Sequence, residues 1–463
     1  MSAESAPFIP PRPEESSLPS STTWRVFGSR SYFHLWLAQV TSSLGDWIGL
    51  IAILSIAARV SNNSGTAVGL VMVARMVPGF FLATVGGVLV DRWDRRKVMV
   101  TCDIGRAALL AMLPFVDTLL GLVVVSFMLE ILTLLWGPAK DASVPHLVDE
   151  KQLSSANSLS LVAAYGTFPL GSIIFSLLAV LAHWLGHFGP FSALKVDREV
   201  LALWVDGLTF LTSALIVIRL PIPHIDRTEG QRIDWSQSMR DIVEGIRFIS
   251  SNALVRGVII GLGVALIGGG TMIPLGPVFA KVTLGGSSAT FGVLMTALGM
   301  GAAVGVVGLL AAQRRLPREA LFPYGVMGTG VFIIGAASTS TLALAAPLIG
   351  LVGAFAGMAY VTGFTILQEN VADELRGRTF AALYTVIRMC LLLSLTVSPL
   401  FADLFDWISG LVFSGRAVSI GGASYGLAGV RIALWFGGAI AIVAGWYAHH
   451  EVKRAQQHGQ VAT

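Results

Sequence analysis

The sequence predicts an all-α membrane protein whose twelve transmembrane helices form two pseudo-symmetric bundles of six. Three observations predict this fold. Of the 463 residues, 54% are hydrophobic and 13% are charged, whereas about a quarter of the residues in soluble domains are charged. Twelve segments are apolar over the ~20 residues that a helix needs to cross a bilayer. The longest polar stretch between them, residues 221–253, follows the sixth segment.

Each span is bounded by turn-forming or charged residues. Turn signals such as Ser61 to Gly65 and Gly285 to Ser288 end one helix before the next begins. Glycine and proline lie together in spans five (Gly166 to Gly171) and seven (Gly268 to Pro277), which predicts kinks in both. We place the spans at residues 32–60, 66–90, 98–118, 120–138, 156–182, 199–219, 254–280, 288–312, 320–340, 342–367, 379–404 and 426–448.

The spans divide the chain into bundles, a linker and two tails. The N-terminal tail is rich in Ser, Pro and Glu, so we expect it to be disordered. In the linker, Ile242, Ile246 and Ile249 lie among charged residues at helical spacing and predict an amphipathic helix on the membrane surface. The regions are a tail over 1–30, a bundle over 31–220, the linker over 221–253, a bundle over 254–449 and a tail over 450–463.

The distribution of Lys and Arg predicts the orientation. Of the 31 basic residues, 22 lie on the side of the chain ends, six lie on the opposite side and three lie within spans. Loops rich in Lys and Arg stay in the cytosol. We therefore expect a multi-pass protein of the cell membrane with both termini in the cytoplasm.

The densest charge cluster lies between spans two and three. It consists of Gly87, three residues, Asp91-Arg92, and a basic run that contains Arg95 and Arg96. This order resembles the loop between helices 2 and 3 of major facilitator superfamily (MFS) transporters, Gly-x-x-x-Asp-Arg/Lys-x-Gly-Arg/Lys-Arg/Lys. The resemblance implies a gating loop that stabilises the state closed toward the cytosol, with Asp91 at a helix N-terminus and the arginines bridging to cytosolic acids.

Two features qualify that interpretation. Asp94 replaces the second glycine of the family pattern, so the pattern does not determine the conformation of the turn. A basic loop that only fixes the topology is the simpler alternative. That alternative explains the arginines but not Gly87 and Asp91 at this spacing, so we favour the gating role.

Further residues indicate a branch of the superfamily. The run from Pro145 through Leu153 to Asn157, and Gln368-Glu369 followed by Arg376 and Arg378, resemble bacterial exporters of the macrolide-efflux and enterobactin-export kind. The resemblance implies an inner-membrane protein whose halves alternately open to either side. It also implies that helices 1, 4, 7 and 10 line the pathway.

Charged residues inside spans are the candidate functional residues, because a charge in hydrocarbon is costly. Asp46, Arg75, Arg106 and Glu130 lie at similar depth, very roughly 14–18 Å from the outer ends of their spans. In span one, a polar stripe leads to Asp46 at i, i+3, i+4 and i+7 spacing. The other members of the stripe are Gln39, Ser42 and Ser43.

Two interpretations of these charges remain open. In the first, Asp46 or Glu130 carries a proton while substrate moves the other way; both lie on helices that the resemblance places along the pathway. In the second, Asp46 pairs with Arg75 and Glu130 pairs with Arg106 as structural bridges. Arg388 lies at comparable depth in the second half and has no assigned role.

Two other span acids receive minor roles. Asp103 lies near the cytosolic end of span three, so we assign it to the interfacial network. Asp206 in span six is expected to cap or pair locally.

The motifs exclude several classes of function. The sequence has no Walker loop and no metal-binding spacing, so we expect neither an enzyme nor a metal or cofactor site. The basic residues do not line one face, which argues against nucleic-acid binding. We expect a monomeric, proton-coupled exporter of a small apolar or amphipathic compound, such as a drug or siderophore, in the lipid bilayer. The alternatives are a lipid or lysolipid flippase or a uniporter of the same fold, and a non-transporting receptor or assembly protein.

Overall fold

The computed structural model describes residues 26–91, 93–149, 152–185, 199–222, 249, 252–313, 317–371, 373–412, 417–420, 423–426 and 428–457. The helices of the first half are α1 (Arg30–Val60), α2 (Gly65–Asp91), α3 (Arg95–Met112), α4 (Leu119–Ser143), α5 (Leu153–Tyr165), α6 (Phe168–Leu185) and α7 (Val200–Val217). Those of the second half are α8 (Ala253–Gly269), α9 (Met272–Val278), α10 (Ser288–Ala312), α11 (Arg318–Ala337), α12 (Leu342–Asn370), α13 (Asp373–Val412) and α14 (Gly429–Gln457). Strands β1 (Ala417–Ile420) and β2 (Ala423–Gly426) form an antiparallel hairpin between α13 and α14.

The helices confirm the predicted all-α membrane fold. Within the described residues, eleven helices or helix pairs are long and apolar enough to cross a membrane, and α2 adds a shorter apolar stretch over Gly65–Phe80. Two spans are broken into helix pairs, α5 with α6 and α8 with α9, at the glycine-containing positions that predict kinks. The last helix continues past the predicted end at 448. The predicted disordered tail, up to residue 25, and most of the predicted amphipathic helix lie outside the described residues.

Helix packing repeats between the two halves. In the first half, α1 packs on α7, α2 packs on α4, and α3 packs on both α4 and α7. In the second half, α8 packs on α14, α10 packs on α12, and α11 packs on both α12 and α14. Each contact in one half therefore has a counterpart six spans later. The contacts between halves follow the same rule, because α2 packs on α13 and α6 packs on α10.

The apolar core is shared by the halves at one face and divided at the other. The face at which α1 begins and α14 ends is called the terminal face here. Toward the opposite face, one continuous core joins both halves and includes Ile53, Phe175, Phe279, Phe291 and Leu434. Toward the terminal face there are two separate cores. The first half contributes Tyr32, Met99, Trp136, Leu147 and Val217 to one, and the second half contributes Leu254, Phe322, Ile366 and Val452 to the other.

This division of the core determines the shape of the molecule. Buried apolar surface holds the halves together near the opposite face. Near the terminal face each half buries its apolar side chains on its own. The apolar cores of the halves are therefore joined near the opposite face and separate near the terminal face.

Candidate functional site

A buried arginine organises the polar interior of the first bundle. Arg106 on α3 is 2% exposed and forms an ion pair with Asp103, one turn earlier on the same helix. Asp103 is fully buried and also accepts hydrogen bonds from Trp136 Nε1 on α4 (3.3 Å) and Ser213 Oγ on α7 (2.8 Å). The Arg106 guanidinium lies 4.0 Å from the ring centroid of Phe210. Asp103 thus belongs to the buried site and not to the interfacial network to which the sequence assigned it.

The two candidate proton carriers are each close to an arginine. Asp46 Oδ2 on α1 lies 3.8 Å from Arg106 Nη1, and Glu130 Oε2 on α4 lies 3.9 Å from Arg75 Nε on α2. These partners are exchanged relative to the pairs that the sequence suggested, Asp46 with Arg75 and Glu130 with Arg106. The pairing follows from packing, since α2 packs on α4.

Exposure separates these pairs from the sealed Arg106–Asp103 pair. The Asp46 side chain remains 32% exposed and that of Glu130 remains 21% exposed. Both distances are near the outer limit for an ion pair. The two carboxylates are therefore held near arginines and are still accessible to solvent.

The second half provides an arginine across the gap. Arg388 is exposed although it lies within the span formed by α13. Its charge interacts with Glu130 of the first half. Arg388 is therefore a cation of the second half that attracts the ionised form of Glu130.

Asp206, which the sequence suggests as a local cap or pairing residue, lies beside Asp46. Asp206 on α7 is 3% exposed, and its carboxyl group fits against Gly45 and Gly49 of α1, here called the glycine notch. A Cβ atom on Gly49 would lie 1.9 Å from Asp206 Oδ2. The hydroxyl of Thr209 donates to the Asp206 main-chain carbonyl at 2.7 Å. The acid therefore lies between two helices, where only a glycine on α1 leaves room for it.

The polar stripe of α1 has two different surroundings. Gln39 and Ser42 are buried: Gln39 Nε2 donates to the Ser160 carbonyl on α5 at 3.0 Å, and Ser42 Oγ donates to the Gln39 carbonyl. Ser43 and Asp46 are partly exposed. The structure therefore brings Ser43 and Asp46 toward the accessible space, and it packs Gln39 and Ser42 within the bundle.

The charged loop between α2 and α3 is described in part. Arg92 lies outside the described residues, and so do the side-chain surroundings of Gly87 and Asp91. Arg95 Nη1 donates to the Ala142 carbonyl near the end of α4 at 2.7 Å. Arg96 Nη1 lies 3.5 Å from the Leu220 carbonyl that follows α7. These arginines therefore tie the start of α3 to its own bundle through main-chain carbonyls.

Asp94 has a clear structural role in this loop. Its Oδ1 accepts a hydrogen bond from the Lys97 main-chain N–H at 3.0 Å, which makes Asp94 the N-cap of α3. A capping carboxylate satisfies an otherwise free N–H and lies favourably at the positive end of the helix. The residue that departs from the family pattern therefore stabilises the start of α3.

Two hydrogen-bonded groups join the halves at the opposite face. Glu199 accepts from Arg59 Nε at 3.3 Å within the first half and from Ser288 Oγ of the second half at 2.5 Å. Asp403 of the second half accepts from Ser64 Oγ at 3.2 Å and from Thr66 Oγ1. These acids are not apparent from the sequence, because they lie at the ends of their predicted spans and not at the depth of the other intramembrane charges. Here they are called the Glu199 latch and the Asp403 latch.

The comparison with protein families decides the membership of the chain. Residues 21–394 match the family described as transmembrane secretion effector. The chain belongs to this family. The resemblance carried by the charged loop is thereby confirmed at the level of MFS transporters, and the family and its relatives are transporters rather than enzymes.

Proteins similar to this chain include an MFS-type transporter and a macrolide efflux protein. The uncharacterized MFS-type transporter YfiS of Bacillus subtilis (strain 168) is 24% identical over 381 residues, which cover 80% of this chain and 86% of YfiS. Macrolide efflux protein A of Streptococcus pyogenes is 23% identical over 399 residues, which cover 84% of this chain and 93% of that protein.

A solved structure shares the fold. It is a bacterial homologue of the human lysosomal transporter Spinster, in an inward-facing and unoccupied conformation. It matches with a TM-score of 0.69 at 14% identity and covers 92% of this chain and 98% of that chain. The secretion-effector chain is therefore a multi-pass membrane transporter with the MFS fold.

Proposed function

We propose that the protein exports a small apolar or amphipathic compound in exchange for protons, by alternating access of its two halves. The observation that carries this proposal is the state of Asp46 and Glu130. Both lie within spans, near an arginine at 3.8–3.9 Å, and both remain partly exposed. A purely structural bridge would be sealed, as the Arg106–Asp103 pair is.

Because both ion pairs are loose, each carboxylate can either stay paired with its arginine or bind a proton. As an anion, Asp46 is stabilised by Arg106 and Glu130 is stabilised by Arg75. A proton neutralises the acid and weakens its hold on the arginine. Protonation therefore changes the attraction between helices of the first bundle, and this is the quantity through which a proton gradient biases a conformational equilibrium.

The divided core supports the conformational part of the proposal. With the termini in the cytoplasm, the terminal face is the cytosolic face, where the apolar cores of the two halves are separate. The two latches then close the external side. An exporter in this state receives its substrate from the cytosol or the inner leaflet.

A group of aromatic side chains nearer the terminal face supports an apolar or amphipathic substrate. Tyr360 and Tyr384 on α12 and α13 are exposed, and Phe364 and Phe380 lie beside them with ring centroids 4.5–6.4 Å from the tyrosines. Tyr165 of the first half is also exposed. Aromatic faces that carry hydroxyl groups suit a ligand with both apolar and polar parts.

Transport by everted membrane vesicles tests the proposal. With a panel of amphipathic compounds, we expect at least one to be accumulated and to evoke proton movement. Asp46→Asn and Glu130→Gln should each abolish the proton movement, because neither variant can exchange a proton at that position. Asp141→Asn is the matched control, since this acid is 72% exposed beside Lys140 at the terminal face.

Two outcomes would contradict the proposal. Transport without proton movement in the wild-type protein would indicate a uniporter or a flippase of the same fold. Absence of transport across the whole panel, with folded protein in the vesicles, would indicate a receptor or assembly function.

A further inference from the structure

We propose that Asp206 is a second proton-binding group, which shares one exchangeable proton with Asp46 and holds it while the apolar cores of the halves are separate near the terminal face. The transport role of this pair rests on the proposed function. The proton-bound state of Asp206 does not, because it can be measured without any substrate.

The position of Asp206 is unusual for an ionised carboxylate. Its side chain is almost fully buried, and Oδ1 makes no hydrogen bond of acceptable geometry with the described residues, although the Thr209 hydroxyl lies close to the carboxyl group. The described residues also place no Lys, Arg or His within ion-pair distance of it. A buried anion without a counterion is strongly destabilising, so such a group takes up a proton and becomes neutral.

The charge balance of the bundle leads to the same conclusion. Four carboxyl groups lie together in its interior, and two arginines from the same bundle face them. Arg106 is committed to Asp103, and Arg75 is nearest to Glu130. The acids are Asp46, Asp103, Glu130 and Asp206, and the arginines are Arg75 and Arg106.

If all four acids were ionised, they would exceed the two arginines of the bundle by two charges, and Arg388 of the second half, whose charge interacts with Glu130, would compensate only one of them. Asp46 and Asp206 are then the two acids without an arginine of their own, and both depend on Arg106 for charge compensation. Their charges also interact with each other. Two neighbouring carboxylates that repel each other hold one proton between them. Asp46 has the arginine at 3.8 Å and partial exposure, so the proton resides on Asp206.

The geometry also gives the proton a route. Asp206 is sealed, whereas Asp46 opens to the space between the halves and lies between the two glycines of the notch along α1. The proton leaves the Asp206 carboxyl group for the Asp46 carboxylate and from there passes to water. During the transfer one acid becomes an anion as the other becomes neutral, so the pair keeps a single negative charge. Release of the proton from Asp46 to water then leaves both acids ionised.

A second atom without a partner supports this exchange. The Nε atom of Arg106 is buried and has no hydrogen-bond partner among the described residues. Arg106 lies over Phe210, which is one turn after Asp206 on α7. The facing charged groups are Asp46 on α1, Arg75 on α2 and Arg106 on α3, so Arg106 is the cation that can compensate Asp206 once the proton has moved.

Infrared spectroscopy of the purified protein in liposomes tests the protonation state. At neutral pH and without substrate, we expect a carbonyl band of a neutral carboxylic acid that shifts in heavy water. Asp206→Asn should remove this band, whereas Asp46→Asn and the exposed control Asp141→Asn should keep it. A band that survives in Asp206→Asn, or that disappears only in Asp46→Asn, overturns the proposal.

Two further variants keep the test decisive if Asp206→Asn does not fold. Asp206→Glu retains an acid and should shift the band, because the longer side chain cannot occupy the same notch. Gly49→Ala places a methyl group where Asp206 Oδ2 lies and should also shift it. A band unchanged in both variants contradicts the assignment to Asp206.

Transport vesicles then test the role of the pair. Asp206→Asn should lose substrate-evoked proton movement, and Asp206→Glu should recover part of it. Full proton movement in a folded Asp206→Asn protein overturns the transport role. If the wild-type protein itself moves no protons, the proposed function fails, and the infrared result still decides whether Asp206 holds a proton.

Discussion

Arg106 is the residue on which the polar interior of the first bundle depends most. Its guanidinium meets the carboxylates of Asp103 and Asp46, the face of Phe210 at 4.0 Å and the ring of Trp136 at 5.6 Å. A planar, delocalised cation can make carboxylate bonds in its plane and aromatic contacts on its faces, whereas a lysine cannot. Asp103 is fully buried and depends on this arginine for its charge balance.

Arg106→Ala should therefore be strongly destabilising. Removing one partner of a buried pair costs about 3–5 kcal/mol, because the remaining charge stays buried without compensation. Thermal unfolding of the purified protein in detergent measures this effect, and Arg106→Lys should recover only part of it. The matched control is Arg318→Ala, which breaks a largely exposed pair with Glu369 and should cost about 0–1 kcal/mol. Equal effects of the two alanine variants would show that Arg106 is not structurally important.

The sequence identified the charged residues of the site better than it identified their partners. Asp46, Arg75, Arg106 and Glu130 were predicted because charges are rare in apolar spans. The pairing depends on how each helix is rotated about its axis, and apolar runs contain no such information. For Asp206, the four-residue spacing of Gly45 and Gly49 was a signal of close helix contact, but nothing in the sequence showed that the contact was with α7.

At the scale of helices, α3 shows how one substitution changes the role of a loop. Asp94 stands where the family pattern has glycine, and it caps the helix. Arg95 and Arg96 then bind carbonyls at the ends of neighbouring helices. The spans themselves were predictable from apolar length, and the kinks were predictable from glycine and proline. The β1–β2 hairpin was not predicted, because its four-residue strands are too short to show a periodicity.

Asp94→Ala should loosen the start of α3 without unfolding the protein. Loss of an N-cap costs about 0.5–2 kcal/mol, so the Lys97 amide and its neighbours should exchange hydrogen faster. Mass-spectrometric hydrogen exchange of the purified protein checks this. Asp94→Asn retains an oxygen that accepts the bond and serves as the control. An unchanged exchange rate in Asp94→Ala would contradict the capping role.

At the scale of the whole molecule, the two latches determine which face is closed. The repeated packing of the halves makes them similar rigid bodies, so a small number of contacts between them can bias their relative angle. The Glu199 latch contacts α10, and the Asp403 latch contacts the residues at the start of α2. Both latches lie at the ends of helices that meet across the interface between the halves. A hydrogen bond at a helix end affects the angle between the halves more than one near the middle of the helix.

Weakening both latches should therefore shift the protein toward the state that is open at the opposite face. Glu199→Gln with Asp403→Asn replaces charge-assisted hydrogen bonds, each of which contributes about 1.5–3 kcal/mol, by neutral ones of about 0.5–1.5 kcal/mol.

Spin labels on cysteines at Phe115 and Thr341 report the opposite face, and labels at Lys97 and Lys453 report the terminal face. Both native cysteines, Cys102 and Cys390, are replaced by alanine in this background. The distances at the opposite face should lengthen while those at the terminal face shorten. Ser338→Ala is the control, because it removes a hydrogen bond to Trp435 at the same face but within one half. If both distance distributions stay as in the parent protein, the latches do not hold the halves together and the shared apolar core alone keeps that face closed.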